Sequence, residues 1–241
     1  MSSIPKFTLT YFDIPGPAEA IRLAFYISGI SFEDRRIDRE EFTRIKLGRQ
    51  GTQRTLRQPL YLPFGQLPLL EVDGESFPQS AAILRFVGKL GGLYPSDPIK
   101  AAKCDAVIDG MIDIQAAIRP SIYETNPLRK FKLRDELSKV TLPLWLGHLE
   151  RWLEGSGGPF FLGDELTTCD LVIYTRMKWL RRGVLVGIPG DILDTFPKIF
   201  AHSNAVNGHP KVIEYYTHGP GKVTGDGTPP LLPPQAAQPT A

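Results

Sequence analysis

Strand signals are confined to the first ninety-odd residues of this 241-residue chain, and beyond Gly91 every apolar pattern is helical. That change of period divides the chain into a mixed part and an all-helical part, because a sheet face and a helix stripe bury their apolar sides differently. In the first part, Lys6 to Phe12 is a short apolar-rich strand, and Pro17 to Gly29 carries helical spacing at Ile21, Leu23, Ala24 and Ile27. Ser31 to Ile37 reads as a second strand. Leu67 to Val72 and Glu75 to Phe77 flank Asp73-Gly74, a dipeptide that tolerates the positive φ angles of a tight hairpin turn. Gln79 to Leu90 returns to helical period. The order β-α-β, an irregular stretch, then β-β-α predicts a mixed sheet with helices packed on it.

The second part opens at Ser96-Asp97-Pro98, where Asp97 can accept from first-turn amides and the missing N–H of Pro98 is harmless. A long helix is expected to run toward Pro120. A second helical pattern spans roughly Arg129 to Leu153 and stops at Gly155-Ser156-Gly157-Gly158; a third begins near Asp170. Thr167-Thr168-Cys169-Asp170 has the spacing of a capping box, a folding signal without chemistry. The expected organisation is a first domain over 4–91, a helical domain over 96–217, and a disordered Pro/Gly-rich tail over 219–241 that sustains neither helix nor ladder.

Hydrophobic residues make up 42% and charged residues 22%, the balance of a folded chain. The net charge of +2 is too small for a protein held mainly by nucleic-acid phosphates. No apolar run reaches the length of a membrane span, and Met1 to Phe7 lacks the pattern of a secretory signal. Cys104 and Cys169 are too few for a disulfide framework and read as small buried hydrophobes in a reducing, cytoplasmic setting. The four histidines have no metal-ligand spacing, and no phosphate-binding glycine string is present. From Phe42 to Arg57 five basic residues occur with no acid. That segment reads as a nucleic-acid arm, an anion-attracting rim or a solvated loop.

Several strings together resemble one family. TLTYF at 8–12 with PAEAIRLAF at 17–25, FGQLPLLEVDGESFPQSAAILRFVGKL at 64–90 and GPFFLGDELTTCDLVIY at 158–174 resemble tyrosine-type cytosolic glutathione transferases, nearest the sigma-like class, as does the placing of Phe42 and Lys46 in EEFTRIK. The resemblance covers roughly residues 4–215. It implies an N-terminal thioredoxin-like β-α-β-β-α domain with a mixed sheet, a C-terminal helical bundle, and glutathione as cosubstrate. It further implies transfer of the glutathione thiolate to an apolar electrophile, in a homodimer without nucleic-acid or membrane partners. The same site would serve a glutathione-dependent isomerase or peroxidase, and the fold also occurs in non-catalytic carriers and structural proteins.

Each matched residue also has an ordinary reading. Tyr11 suits the end of an apolar strand as core; the resemblance makes it the hydrogen-bond donor to the glutathione sulfur. A free thiol near pKa 8.5 is about 3% thiolate at pH 7, and lowering it two units takes roughly 2.7 kcal/mol. A hydrogen bond to a charged group supplies about 1.5–3 kcal/mol. Pro68, after Gln66-Leu67, is an ordinary turn proline or, by resemblance, a cis-proline beside the cysteinyl backbone of glutathione. Gln79-Ser80 caps a helix, and by resemblance also holds the γ-glutamyl carboxylate at the helix N-terminus. Lys46 and Phe42 are surface residues or match positions at the glycyl end, and an apparent insertion of about a dozen residues, near 48–61, borders them. Asp105, Asp109 and Asp113 share one helix face; by resemblance Asp113 reaches the glutathione of a partner subunit. The turn after Tyr11, Asp13-Ile14-Pro15-Gly16-Pro17, lacks the arginines usual in sigma-like proteins; if those arginines help to lower the thiol pKa in the relatives, this chain uses another group, for instance one from the basic insertion, or is a weaker thiol activator.

Overall fold

A computed structural model of the chain describes residues 5–47 and 61–222. They form two compact units, one running through Tyr94 and taking in the segment from Glu214, the other spanning Pro95–Ile213.

The first unit is built on a four-stranded mixed sheet. Its strands are β1 (Phe7–Phe12), β2 (Glu33–Ile37), β3 (Leu69–Val72) and β4 (Glu75–Pro78), in the order β2-β1-β3-β4. β1 runs parallel to β2, with Tyr11 opposite Arg36, and antiparallel to β3, with Thr10 opposite Leu69. β3 and β4 form the hairpin around Asp73-Gly74, both at positive φ (50° and 96°). Helices α1 (Glu19–Ile27) and α3 (Ser80–Leu90) pack side by side. They bury Ile21, Ala24, Phe25, Ile83, Leu84 and Val87 with Leu9, Leu69 and Leu70 of the sheet.

One element of this unit departs from the expectation of an irregular stretch after the second strand. Arg39–Lys46 is a helix, α2. Asp38 accepts the Glu41 N–H at 2.7 Å, while Glu40 and Glu41 in the first turn and Arg44 and Lys46 in the last complement the helix dipole. Of the five basic residues between Phe42 and Arg57, Arg44 and Lys46 therefore belong to the last turn of a helix. The basic segment continues into residues 48–60, which lie outside the described residues.

In the second unit, α4 (Pro98–Tyr123) starts where Asp97 accepts the Lys100 N–H and runs three residues beyond Pro120. The pattern over 129–153 is not one helix. It comprises α5 (Pro127–Glu136), a π turn over Leu137–Thr141 and α6 (Leu142–Glu154). Pro143 has no N–H and would press on the carbonyl four residues back, and the wider turn, with Leu142 N–H bonding Leu137 O, accommodates it. Helix α7 (Thr168–Arg181) follows, then α8 (Pro197–Asn207) and α9 (Pro210–Thr217). At the start of α7 the buried Asp170 accepts the Thr167 N–H and O–H, both at 2.8 Å, and the Phe161 N–H at 2.9 Å, with His202 Nε2 at 3.0 Å. The expected capping box is thus part of a larger buried network that ties the preceding loop and α8 to α7.

The chain also stays ordered past 219. His218 and Gly219 donate to the Glu214 carbonyl, and Pro220–Lys222 forms a 3-10 turn against Tyr215. Residues 223–241, the rest of the expected tail, lie outside the described residues.

Candidate active site

The hydrogen-bond register places three of the expected site residues on one line at one end of the sheet. Thr10 pairs with Leu69 and Leu69 with Pro78, so the next rung holds Tyr11 on β1, Pro68 before β3 and Gln79 after β4. Tyr11 is only 6% exposed, Pro68 is buried, and the Leu67–Pro68 peptide is cis. Gln66 and Gln79 are exposed beside them, and Leu67 and Ser80 are half-buried.

Gln79 is the junction between β4 and α3, and its backbone is at φ 78°, ψ 107°. A non-glycine residue pays roughly 1–3 kcal/mol for such a conformation. No side chain caps α3, so the capping expected of Gln79-Ser80 is absent. The first-turn amides of α3 therefore remain available to an anion at the rung shared with Tyr11.

Lys46 ends α2 with its stem across the turn that precedes Gln66: a Cβ on Gly65 would lie 3.4 Å from Lys46 Cε. Gly65 itself is at φ 61°, where a bare α-carbon is favoured twice over. Phe42, one turn earlier on α2, sets its ring edge-on to Phe12 at 5.3 Å between centroids. Phe42 and Lys46 are thereby held beside the end of β1 and the segment leading to β3. Asp113 is not among this group. It lies on the exposed face of α4 in the other unit, with Asp109 exposed and Asp105 half-buried on the same stripe.

A buried cation from α1 lies beside Tyr11. Arg22 is fully buried, and its guanidinium carbon sits 5.9 Å from the centre of the Tyr11 ring. It donates to the carbonyls of Ile14 (3.1 Å), Pro15 (3.3 Å) and Phe12 (3.5 Å), and to the carboxylates of Asp34 (3.0 Å) and Glu19 (3.4 Å). Around it, Arg36 joins Asp34 to Asp13 at 2.8 and 2.7 Å; burial lowers the Arg36 pKa, but these hydrogen bonds outweigh it and leave it raised. Tyr215 closes the other side, donating to Glu19 Oε1 at 3.2 Å, and burial together with the Glu19 charge pushes its phenol well above the ordinary value. Arg22 went unremarked in the sequence although it interrupts the apolar run Ile21-Arg22-Leu23-Ala24-Phe25, where a charge survives only if paired. That interruption was the available signal.

Residues 7–89 match the glutathione S-transferase N-terminal domain and residues 112–219 its C-terminal domain. The chain belongs to the glutathione S-transferase family. It is 38% identical over 173 residues to glutathione S-transferase 1 of Ascaris suum, covering 70% of this chain and 78% of that protein. A prostaglandin synthase D of Nilaparvata lugens superposes with a TM-score of 0.77 at 28% identity, over 89% of this chain and 98% of that one. A monomeric glutathione S-transferase of the hookworm Necator americanus superposes at 0.72 with 32% identity, over 87% and 95%. As a member of this family the chain is a glutathione transferase with glutathione as its cosubstrate.

Gly16 is the tightest point of the loop over Tyr11. It is at φ 47°, and a Cβ there would lie 2.6 Å from the phenol oxygen and 2.8 Å from the ring. Gly16→Ala is therefore expected to lower stability by about 1–2 kcal/mol in denaturant unfolding, the scale of a left-handed non-glycine residue. By displacing the phenol it should also lower glutathione-dependent turnover about tenfold or more. A variant with wild-type stability and turnover would contradict this packing.

Proposed function

We propose that this glutathione transferase conjugates the glutathione thiolate to an apolar electrophile, with Tyr11 as the donor that stabilises the sulfur anion. The observation that carries the reading is the single rung shared by Tyr11, Pro68 and Gln79 at one end of the sheet. A tripeptide laid along that end meets a phenol O–H, the backbone of Leu67 and an uncapped helix N-terminus in sequence. In this reading the Leu67 backbone, followed by Pro68, pairs with the cysteinyl residue in the manner of an added strand. Gln66, Gln79 and Ser80 hold the γ-glutamyl end, where the α3 dipole favours a carboxylate. Lys46 neutralises the glycyl carboxylate, with Phe42 fixing the end of α2.

The chemistry then needs no nucleophile from the protein. Glutathione brings the sulfur, and the site lowers its pKa by stabilising the anion more than the thiol. Tyr11 stays a neutral donor. The buried Arg22 behind its ring takes the Ile14 and Pro15 carbonyls as acceptors and so fixes the adjoining loop against Tyr11. The thiolate attacks the electrophilic carbon, a carbon–sulfur bond forms, and the leaving group departs with its electron pair. Two buried reduced thiols suit a cytosolic setting for this activity.

A second reading, a glutathione-dependent isomerase, is favoured by the likeness to the prostaglandin synthase. It uses the same thiolate, and parallel assays with an aryl halide and a prostaglandin endoperoxide separate the two. Under either reading, Tyr11→Phe should keep glutathione affinity within a few-fold and lower turnover roughly 10–100-fold, the equivalent of about 1.5–3 kcal/mol of charged hydrogen bonding. Unchanged turnover would place the donor elsewhere.

In the manner the resemblance implies, Asp113 reaches glutathione from a partner subunit, so we infer a two-fold homodimer. Light scattering should then give about twice the chain mass of 26.8 kDa. A monomer at micromolar concentration that still turns over glutathione would exclude a shared site.

A further inference from the structure

From Glu214 onward the chain belongs to the first unit, and a buried tyrosine of that segment reaches the network behind Tyr11. Tyr215 of α9 is fully buried, and its O–H donates to Glu19 Oε1 at 3.2 Å, across 196 positions of sequence. Its ring meets Tyr26 of α1 edge-on, 5.4 Å between centroids. The chain then closes back over it: a Cβ on Gly219 would lie 3.0 Å from the Tyr215 α-carbon, and one on Gly221 only 2.5 Å from the Tyr215 ring. Two bare α-carbons are thus used to pack one side chain against α1. Burial and the Glu19 charge keep the proton on the phenol, so it stays a donor.

The carboxylate that Tyr215 engages competes for the group that holds the loop over Tyr11. Arg22 Nη1 carries two protons and faces three acceptors, the Ile14 carbonyl at 3.1 Å, the Pro15 carbonyl at 3.3 Å and Glu19 Oε2 at 3.4 Å. A carboxylate is ordinarily the stronger acceptor for a guanidinium and favours a two-pronged grip. Here it has the longest of the three contacts. Its other oxygen is the one bonded to Tyr215, which restrains the carboxylate from turning both oxygens to the fork. Removing the phenol O–H would leave a buried carboxylate short of a donor, and Arg22 stands beside it to answer. The fork would then move from the loop carbonyls toward Glu19, and the loop that carries Gly16 would loosen over the Tyr11 ring.

We propose that Tyr215 is a positioning residue for the glutathione reaction: by engaging Glu19 it leaves Arg22 to hold the Ile14 and Pro15 carbonyls, and so keeps Tyr11 placed to stabilise the glutathione sulfur. The inference rests on the proposed role of Tyr11 as that donor. It gives the C-terminal segment a part in the chemistry, exerted through Glu19 and Arg22.

The test uses the full chain as wild type, Tyr11→Phe, Tyr215→Phe, Glu19→Gln and the double variant Glu19→Gln/Tyr215→Phe. The pKa of bound glutathione is read from thiolate absorbance, and kcat and KM from conjugation to an aryl halide. Tyr215→Phe keeps the ring and loses only the hydroxyl. It should raise the bound thiol pKa by about half to one unit and, below that pKa, lower kcat about three- to tenfold with KM for glutathione within about twofold. Glu19→Gln removes the charge that competes for Arg22, so adding Tyr215→Phe to it should produce no further shift. A folded Tyr215→Phe variant that melts earlier but keeps the wild-type thiol pKa and kcat would make Tyr215 a packing residue only and overturn the inference. An equal shift with and without Glu19 would overturn it too. If Tyr11→Phe raises the thiol pKa and Tyr215→Phe does not, this inference fails alone; if Tyr11→Phe leaves it unchanged, the role of Tyr11 fails and the inference with it.

Discussion

The first unit depends on one buried guanidinium. Arg22 is surrounded by Ile21, Leu23, Ala24 and Phe25, all buried, and a charge there survives only because every face of the fork is answered. Two carboxylates, Glu19 and Asp34, accept from it, as do the carbonyl of Phe12 at the end of β1 and those of Ile14 and Pro15 in the loop that follows. Those carbonyls cannot move without stranding a buried charge. The loop, Gly16 within it, and the Tyr11 ring beneath Gly16 are consequently held as one piece, with Tyr215 from the chain's C-terminal segment closing the network on Glu19.

The sheet supplies the rest of the positioning. Because β3 runs antiparallel to both β1 and β4, the end of β1 meets the beginning of β3 and the end of β4. Three segments far apart in sequence therefore deliver Tyr11, Pro68 and Gln79 to one line. The strain at Gln79 and the uncapped α3 point the same way: local stability is given up where a ligand would restore it. The second unit handles its buried polar groups differently: Asp170 has its oxygens engaged by the loop before α7 and by His202.

Much of this was legible in the residues. Alternation at β1, Asp73-Gly74 at the hairpin, and Asp97-Pro98 at the start of α4 are local signals whose meaning does not depend on distant partners. Tyr11, Lys46, Pro68 and Gln79 are singled out because their strings resemble a family, and the sheet register explains why Tyr11, Pro68 and Gln79 share one rung. What escaped was non-local. Arg22 looks like a stray charge until Asp34 and the loop carbonyls are placed around it. Helix α2 was obscured because Arg44 and Lys46 read as part of a basic segment running on to Arg57 rather than as the last turn of a helix. The π turn was hidden because apolar period alone runs straight through Pro143.

The central claim is that Arg22, by locking the loop against Tyr11, sets the acidity of bound glutathione. It is tested most directly by titrating the ultraviolet absorbance of the thiolate in complexes of glutathione with wild type and with Arg22→Lys, which keeps the charge but loses the fork. The account predicts that the lysine variant binds glutathione and holds its thiol at a higher pKa than wild type, nearer that of free thiol. The same pKa in a folded Arg22→Lys complex would contradict it.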